Sequence, residues 1–598
     1  MTTDPSIYYN QRLEELSHEI KIHKKRDRYF FGVRLAFFFL FIAILVIASI
    51  NKSYTLLYLL IPSSLIFILS VRYDLKNDKR LKDLHKRLQL NLNEIEYLSH
   101  NYLSQPTGNE YLNLNNQLAQ DFNLFGEGSL FQYLNRCSTK MGAKALAMSL
   151  VTPNFEEEDI RQKQQAIKEL SENRIFNENF RAIGASVKEK KDEIVKLRLW
   201  LNSESNIASW HRYLAILYPT TTIVATILGV MGVFSFAALT ALLVIGLIFN
   251  GINAKRVRSE YTQVDKSSKI IGHYIHLLKL IENENFQSQK LSSLKLNLSK
   301  NNFSASGEIK KLFSLTSTFD NCYSMPFLAL INPLFQFELI TLLQLHNWKR
   351  KNGVASNEWL TTITHFDELL SFATYAFNNQ QHTCLPTPIN SPFTIDATQI
   401  GHPLIAPQSR VLNSFNMKSN PSVLIVTGAN MAGKSTFIRT IASNLILAMN
   451  GAPVVATKMN FSPVEILSSI KIQDSQKDNK SYFYAELVGM KNIIERVKTN
   501  PKSIVFLDEM LRGTNSNDKQ KGSFGFIENL ISLNANVIVA THDLAIGELE
   551  DSYSGVVKNR CFEVELINNE LHFDYILKKG VSQKLNASFL MKEMGIIK

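Results

Sequence analysis

Four long apolar stretches, arranged as two closely spaced pairs, dominate the hydropathy pattern of the first half of the chain. The first pair covers 30–50, where Arg34 is the one charged residue, and 54–71. The second pair covers 213–233 and 234–252 and contains no charged residue. A helix of about 20 apolar residues crosses the hydrocarbon core of a bilayer, and lipid offers no partners to an irregular backbone. The pattern predicts two transmembrane helical hairpins, with buried core helices as the alternative for the second pair, whose arms are only just long enough.

Basic residues flank both pairs. They are Lys21, Lys24, Lys25, Arg26 and Arg28, then Arg72, Lys76, Lys79, Arg80 and Lys82, then Arg212, and finally Lys255, Arg256 and Arg258. Lysine and arginine beside a membrane span are retained on the cytoplasmic side. The sequence therefore predicts a multi-pass protein of the inner or cytoplasmic membrane, in which both hairpins enter from the cytoplasm and return to it.

Between these pairs the pattern is helical. Apolar residues recur at intervals of three or four, with Asn91 in the same seam, at Leu81, Leu84, Leu88, Ile95, Leu98 and Tyr102. This spacing is typical of a short coiled coil, and equally of a helix packed on a core. The stretches 156–206 and 254–350 combine Lys, Glu, Leu and Ile and predict long amphipathic helices.

Three short apolar runs in the last third, 423–427, 503–507 and 537–541, predict buried parallel strands. The first run continues into Gly428 and then Gly433-Lys434-Ser435, which is the GxxxxGK[ST] spacing of a phosphate-binding loop. The two glycines let backbone N–H groups face phosphate oxygens, and the following helix directs its positive end at the same charge. ATP is therefore the first hypothesis for a ligand.

The other two runs end in residues that suit phosphate chemistry. Asp508 and Glu509 follow the second run, and His542 follows the third. Ligands of parallel sheets bind at the carboxyl ends of the strands. We expect Asp508 to hold the shell of a Mg²⁺ ion and Glu509 to polarise the attacking water as general base. His542 is either a contact of the γ-phosphate or the water, or a structural histidine at a strand end.

These motifs resemble the ATPase domain of MutS proteins. The resemblance is carried by TGANMAGKST at 427–436, LDEMLRGTNSND at 507–518 and ATHD at 540–543. No LSGGQ-like signature precedes Asp508, and SYFYAE at 481–486 is similar to the element that replaces it in MutS relatives. Upstream, the segments 128–136, 139–142 and 161–167 look like the opening of the MutS helical core, so the resemblance covers roughly 120–598.

The resemblance implies a role for each matching position. Lys434, Glu509 and His542 are implied in catalysis, and Ser435 and Asp508 in holding Mg²⁺. The implied nucleotide contacts are Gly428, Ala429, Asn430, Met431, Ala432, Gly433, Lys434, Ser435, Thr436 and Ser481. The counterpart of Ser481 completes the site of the opposite subunit in MutS relatives, so a homodimer with two composite sites is implied. Arg512, Gly513 and Thr514 would form the turn after the acidic pair.

Three positions depart from the MutS pattern. Ala429 stands where the family usually has Pro, Leu511 where it has Gly, and Lys519 where Gly is common. The hydrolytic residues are intact. The departures bear on the contacts with a second subunit.

Composition leaves the substrate open. The 598 residues suffice for several domains, and the formal charge of +12 suits either anionic lipid or double-stranded DNA. Four widely separated cysteines and the absence of CxxC or HExxH spacings indicate neither disulfides nor zinc. MutS mismatch sensors carry a Phe-x-Glu wedge, which 125–127 matches by letters alone, so mismatch recognition has no support.

The sequence therefore predicts a multidomain protein: an α-helical core with two transmembrane hairpins, followed by an α/β ATPase domain of the ABC type with a phosphate-binding loop. The expected division is a basic cytoplasmic segment 1–29, hairpin 1 at 30–72, a helical connector 73–120, a core 121–385 interrupted by hairpin 2 at 213–252, and the ATPase domain 386–598. The expected function is a membrane-anchored, Mg²⁺-dependent ATPase that couples its cycle to DNA binding. The alternative is a membrane ATPase that acts on a protein or membrane partner without DNA.

Overall fold

The computed structural model describes residues 4–52, 54–114, 116–186, 193–203, 210–233, 235–299, 303–322, 327, 331–470, 482–511, 515–567 and 570–582. The first two thirds of these residues are helical. In chain order the α-helices are α1 (Pro5–Ile50), α2 (Leu60–Leu98), α3 (Asn116–Asp121), α4 (Leu130–Leu134), α5 (Lys140–Val151), α6 (Glu157–Glu172), α7 (Arg174–Gly184), α8 (Glu193–Asn202), α9 (Trp210–Val230), α10 (Phe236–Asn283), α11 (Gln289–Leu296), α12 (Ala305–Cys322), α13 (Asn332–Phe335) and α14 (Phe337–Asn378).

The last third is an α/β region. Its strands are β1 (Thr387–Pro388), β2 (Ile395–Ile400), β3 (Asn413–Met417), β4 (Val423–Gly428), β5 (Lys458–Phe461), β6 (Glu465–Ser469), β7 (Ser503–Asp508), β8 (Asn536–Thr541), β9 (Val557–Ile567) and β10 (Glu570–Lys579). Its helices are α15 (Lys434–Met449), α16 (Tyr482–Thr499), α17 (Ser516–Ser532) and α18 (Leu549–Ser552). Short 3-10 turns lie at Tyr54–Leu59, Asn109–Tyr111 and Leu544–Glu548.

The strands form two mixed sheets. A four-stranded sheet has the order β1-β5-β2-β3, and a six-stranded sheet has the order β10-β9-β4-β8-β7-β6. In the larger sheet β6, β7, β8, β4 and β9 are parallel, and β10 returns antiparallel to β9. All six residues of β4, β7 and β8 are buried, which is expected of parallel strands covered on both faces. Apolar residues of α16 and α17, such as Ile493 and Ile527, pack against these strands in one core.

The chain divides into two compact units. The sheet unit comprises Met1–Asn135, Ala147–Ile167 and Phe372–Lys598, and the helical unit comprises Arg136–Leu146 and Lys168–Ser371. This differs from the predicted division, in which 121–385 is one core. Part of α6 joins the sheet unit because its side chains reach that unit's backbone: Arg161 donates to the carbonyl oxygen of Pro388 at 3.0 Å, and Gln164 to that of Pro386 at 2.6 Å.

The first apolar pair is a pair of long antiparallel helices in the sheet unit. The predicted boundaries at 29/30 and 72/73 fall inside α1 and α2, because each helix continues from its apolar half into its charged half without a break. In the charged halves Leu16 and Ile20 of α1 pack with Leu81 and Leu84 of α2. The three-four spacing from Leu81 onward thus serves a helix pair within the chain.

Hydropathy alone identifies three helices of the described residues as long and apolar enough to cross a membrane: Pro5–Ile50, Thr55–Leu98 and Trp210–Val230. Of the fourth predicted arm, 234–252, the part Ala237–Ile252 is a shorter apolar stretch near the start of α10. Many of their large apolar side chains are exposed, for example Phe39 at 59% and Leu65 at 58%. Exposed apolar surface of this extent marks an interaction surface.

Candidate functional site

The carboxyl edge of the six-stranded sheet brings the predicted site residues together. β8 lies between β4 and β7, so Thr427 pairs with Thr541 and Asp508 with Ala540. The N–H of Glu509 donates to the carbonyl oxygen of Ala540 at 2.9 Å, which holds the acidic pair against the end of β8. Three segments that are far apart in sequence therefore end at one point of the sheet.

The loop after β4 has the backbone that its glycines predict. Gly428 has φ 150° and Gly433 has φ 106°, and a Cβ at Gly428 would lie 2.7 Å from the carbonyl oxygen of Phe562. Met431, with φ 69°, is the non-glycine residue of this loop in the left-handed region. α15 begins directly after the loop at Lys434, without a side-chain cap at its first N–H groups. Such a helix end, with its free N–H groups and positive dipole, favours an anion.

Lys434 is buried at the centre of this edge. Its Nζ donates to the carbonyl oxygens of Gly428 at 2.8 Å and Ala429 at 2.9 Å. Burial lowers the pKa of Lys434, while the carboxylates of Glu509 and Asp508 oppose that shift. The side chain is thus a cation with two acidic neighbours, placed to meet a phosphate group that approaches the loop.

The acidic pair and His542 form a second group of side chains. Asp508 is the last, buried residue of β7, and Glu509 follows it with φ 53°. His542 Nδ1 lies 3.6 Å from Glu509 Oε1. On the other side of the imidazole, Lys519 Nζ lies 3.3 Å from His542 Nε2. Because an ammonium can only donate, this contact makes Nε2 the acceptor and leaves the proton on Nδ1, facing Glu509.

A cavity of about 440 Å³ opens beside the loop. Asn430, Met431, Gly433, Lys434, Ser435, Thr436 and Glu509 line its polar side. Ile400, His402, Phe562 and Tyr575 are among the residues that line the rest, and their side chains provide an apolar surface for a flat ring. Burial, together with Arg410 and Arg439, lowers the pKa of His402 to about 4, so this imidazole is neutral at pH 7.

Sequence reasoning missed part of this lining. His402 lies outside the motifs named above, and no motif marks Phe562 or Tyr575. Both come from the β9–β10 hairpin, which a change of register between Phe573 and Leu577 bends over the loop. A Cβ at Gly433 would lie 3.1 Å from Tyr575 Cδ1, so the ring rests on the loop itself.

Two of the departures from the MutS pattern have a structural account. Leu511 adopts φ 56°, the conformation that glycine favours, and its N–H donates to the buried carboxylate of Glu486. Its side chain fills the space beside Gly522, where a Cβ would lie 2.6 Å from Leu511 Cδ1. Lys519 provides the contact with His542. Ser481, Arg512, Gly513 and Thr514 lie outside the described residues.

The donors at this edge fit a magnesium ion. Within the described ranges no three His, Cys, Asp or Glu side chains are close enough to hold a metal by themselves. Mg²⁺ commonly takes one or two protein ligands and completes its shell with phosphate oxygens and water. A buried carboxylate at Asp508 and a hydroxyl at Ser435 meet that requirement.

The fold and this edge define the class: a multidomain protein with a helical N-terminal part and a C-terminal α/β domain built on mixed sheets. Two family models match, MutS domain III over residues 110–198 and MutS domain V over residues 424–592. The chain is also similar to "MutS protein homolog 4" of Mus musculus, 31% identical over 38% of this chain and 24% of that protein. A third similarity is to "DNA mismatch repair protein MutS" of Clostridium botulinum, 34% identical over 37% of this chain and 24% of that protein.

These matches, over residues 110–198 and 424–592, support a MutS-family protein. The match to domain V, the ATPase domain of that family, covers the six-stranded sheet from Leu424 onward and contains the whole carboxyl edge described above. The aligned part spans about a quarter of the length of the curated relatives it matches. The second apolar hairpin, 213–252, lies between the two matched segments.

Proposed function

We propose that this protein is a membrane-anchored, Mg²⁺-dependent ATPase whose loop 428–436 is a phosphate-binding loop. The observation that carries the proposal is the convergence of Lys434, Asp508, Glu509 and His542 at one sheet edge beside the 440 Å³ cavity. ATP would place its phosphates on the loop, and the apolar side of the cavity would receive the base. MutS-family proteins are ATPases, which supports the assignment.

In this proposal each side chain has one task. Lys434 exchanges its bonds to the loop carbonyls for bonds to phosphate oxygens, and the N–H groups at the start of α15 hold the same group. Mg²⁺, held by Ser435 and Asp508, would neutralise charge that develops on the phosphates. Glu509 accepts a proton from the attacking water. His542 lies beside the Glu509 carboxylate, with Nδ1 3.6 Å from Oε1, and is itself contacted by Lys519.

The proposal predicts that Glu509→Gln binds ATP but hydrolyses it slowly. An amide of the same shape cannot accept the proton, and general base catalysis contributes roughly 10²- to 10⁴-fold. The measurement is phosphate release by the detergent-solubilised protein with Mg²⁺ and with EDTA, beside equilibrium binding of ATP. Glu495→Gln, which changes an exposed glutamate of α16, serves as the control. Hydrolysis at the unmodified rate in Glu509→Gln would show that Glu509 is not the base.

The quaternary and cellular parts of the proposal follow from the family and the apolar helices. MutS relatives act as dimers, so we expect a homodimer in which Ser481 of one subunit completes the site of the other. The exposed apolar residues of α1, α2, α9 and α10 suit lipid, which supports insertion of the two hairpins in the cytoplasmic membrane. The ATPase domain would then face the cytoplasm, where ATP is available.

Double-stranded DNA is the partner that the family suggests, because the relatives include proteins named for DNA mismatch repair. The alternative partner is a protein, favoured by the apolar hairpin between the two matched segments. Binding to DNA through lysine and arginine contacts to phosphates would fall steeply with salt and ignore a mismatch. Equilibrium binding of perfect and mismatched duplexes across a salt series separates the cases. A preference for the mismatch would contradict the expected contacts, and no binding at low salt would favour the protein partner.

A further inference from the structure

One face of the second apolar hairpin is covered by protein, although the rest is exposed. On α9 the buried residues Ala215, Tyr218 and Thr222 recur at intervals of three and four, which places them on one stripe. On the other faces of α9, Ile216 is 66% exposed and Ile223 is 47% exposed. The exposed residues suit lipid, whereas the stripe already has a protein partner.

Two elements cover this stripe. Within the hairpin, Tyr218 donates its hydroxyl to the carbonyl oxygen of Leu242 on α10. The segment Ile331–Phe337, here called the α13 tip, contacts both α9 and α10. The closest approach is at Gly246 of α10, where a Cβ would overlap the carbonyl oxygen of Pro333. Gln336, 1% exposed, donates from Nε2 to the carbonyl oxygen of Gly246 at 3.3 Å. Only a residue without a side chain allows this approach, so the α13 tip is packed against the arm rather than lying beside it.

The position of Gly246 along α10 fixes the depth of this contact. It lies ten residues after Phe236, the first residue of α10, and so about 15 Å from the hairpin turn at a rise of about 1.5 Å per residue. The hydrocarbon core of a bilayer is about 30 Å thick. In a hairpin that spans the core, Gly246 lies near mid-depth, and whatever touches it lies there too.

The backbone of the α13 tip is compatible with that depth because its polar groups have partners within the protein. Gln336 turns the chain with φ 51°, and its N–H donates to the carbonyl oxygen of Asn332 at 2.8 Å. The Asn332 side chain donates to Glu338 Oε2 at 2.8 Å and accepts from the Glu338 N–H at 2.9 Å. Irregular backbone at membrane depth is tolerated where protein surrounds it and satisfies its groups.

We propose that the α13 tip is a re-entrant membrane element, which enters the bilayer between the two arms of the second hairpin and turns back at mid-depth. The inference rests on the proposed insertion of that hairpin. It adds a membrane contact beyond the four apolar stretches of the two predicted hairpins. The partner of this surface is the hydrocarbon interior, which the half-buried Leu334 and Phe335 face around the packed Pro333.

Depth-dependent quenching tests the proposal on the full chain in proteoliposomes. Single cysteines at Leu334, Ile223 and Lys351 are labelled with an environment-sensitive fluorophore, and the signal of the unsubstituted chain is subtracted. Iodide reports water, and lipids spin-labelled deep in the acyl chain report mid-depth. Leu334→Cys and Ile223→Cys should be quenched by the deep lipid label and protected from iodide, and the exposed Lys351→Cys should show the reverse.

The outcomes separate this inference from the hairpin on which it depends. Iodide quenching at Leu334→Cys with deep lipid quenching at Ile223→Cys overturns the re-entrant tip and leaves the hairpin inserted. Iodide quenching at both positions overturns the insertion itself, and the re-entrant tip with it.

A second variant tests the packed contact between Gly246 and the α13 tip. Gly246→Leu should expel the α13 tip, which is measured as loss of iodide protection at position 334 and as a lower unfolding temperature. Gly251→Leu on the same helix is the matched control, because a Cβ there meets no atom within 4 Å. Equal behaviour of the two leucine variants would show that the packed contact does not exist.

Discussion

The carboxyl edge of the six-stranded sheet and the second apolar hairpin are both recognisable as short patterns in the sequence, yet they depend on the rest of the chain to different degrees. At the sheet edge each candidate side chain ends a buried strand or begins a helix that its own residues specify. At the hairpin the covering segment lies about 90 residues further along the chain, since Gln336 contacts Gly246 with a separation of 90. A motif tied to the end of an element is placed by local structure, whereas the inner face of an apolar helix accepts any partner of suitable shape.

The topology of the two hairpins has the largest expected effect, because a residue on one side of the membrane is labelled and a residue on the other side is not. Cysteines introduced at Lys52 and Ser235, in the two hairpin turns, should react with a membrane-impermeant thiol reagent added outside intact spheroplasts. A cysteine at the exposed Lys502, next to β7, should react only after lysis. Labelling of position 502 from outside would show that the orientation is the opposite of the predicted one. Protection of both turns would argue that the apolar helices do not cross the membrane.

Lys434→Ala tests whether the sheet edge works as the local motif implies. The substitution removes a charged donor of the kind whose hydrogen bonds contribute about 1.5–3 kcal/mol, so ATP affinity should fall roughly 10- to 150-fold. Equilibrium binding of ATP is the measurement, with the unfolding temperature recorded to confirm that the sheet unit is intact. Lys502→Ala, an exposed lysine of the same domain, should bind ATP normally. Unchanged affinity in Lys434→Ala would remove the phosphate assignment from this loop.

A smaller effect is expected at Lys519, which a motif search ignores and the fold brings to His542. Loss of one hydrogen bond costs about 0.5–1.5 kcal/mol, so Lys519→Ala should slow hydrolysis about 2- to 12-fold and leave the KM for ATP unchanged. Lys519→Arg retains a donor and should recover most of the rate. Lys521→Ala, two residues further on and exposed, is the matched control. A rate equal to that of the unsubstituted protein would mean that the Lys519–His542 contact has no part in the reaction.

Several features of the fold were accessible from the sequence alone. The order of a buried strand, a glycine loop and a helix at 423–449 needs only hydrophobic patterning and the tolerance of glycine for positive φ, and the structure contains all three. The predicted resemblance to MutS proteins is supported by the matches to MutS domains III and V. The convergence of Asp508 and Glu509 with the loop follows from the rule that parallel strands present their carboxyl ends at one edge.

Other features depend on contacts between distant parts of the chain and were not predicted from the sequence. Tyr575 reaches the loop through an irregular hairpin, and irregular register is not a periodic signal. Leu511 keeps a left-handed backbone where glycine is expected, because Glu486 and the space beside Gly522 hold it in place. The boundaries predicted at 29/30 and 72/73 fall inside continuous helices. A helix passes from polar to apolar surroundings with no change in its backbone, so hydropathy does not mark its ends.

By itself the sequence determined the identity and spacing of the chemical groups: the loop lysine, the acidic pair, the histidine and the apolar arms. Those depend on residue type and on local backbone preference, which short segments carry. The tertiary structure alone decided which surfaces meet, namely Lys519 with His542, Tyr575 with the loop, and the α13 tip with Gly246. The physical reason is that packing selects partners by shape and by satisfied hydrogen bonds across long separations, and neither quantity is written in any one stretch of the chain.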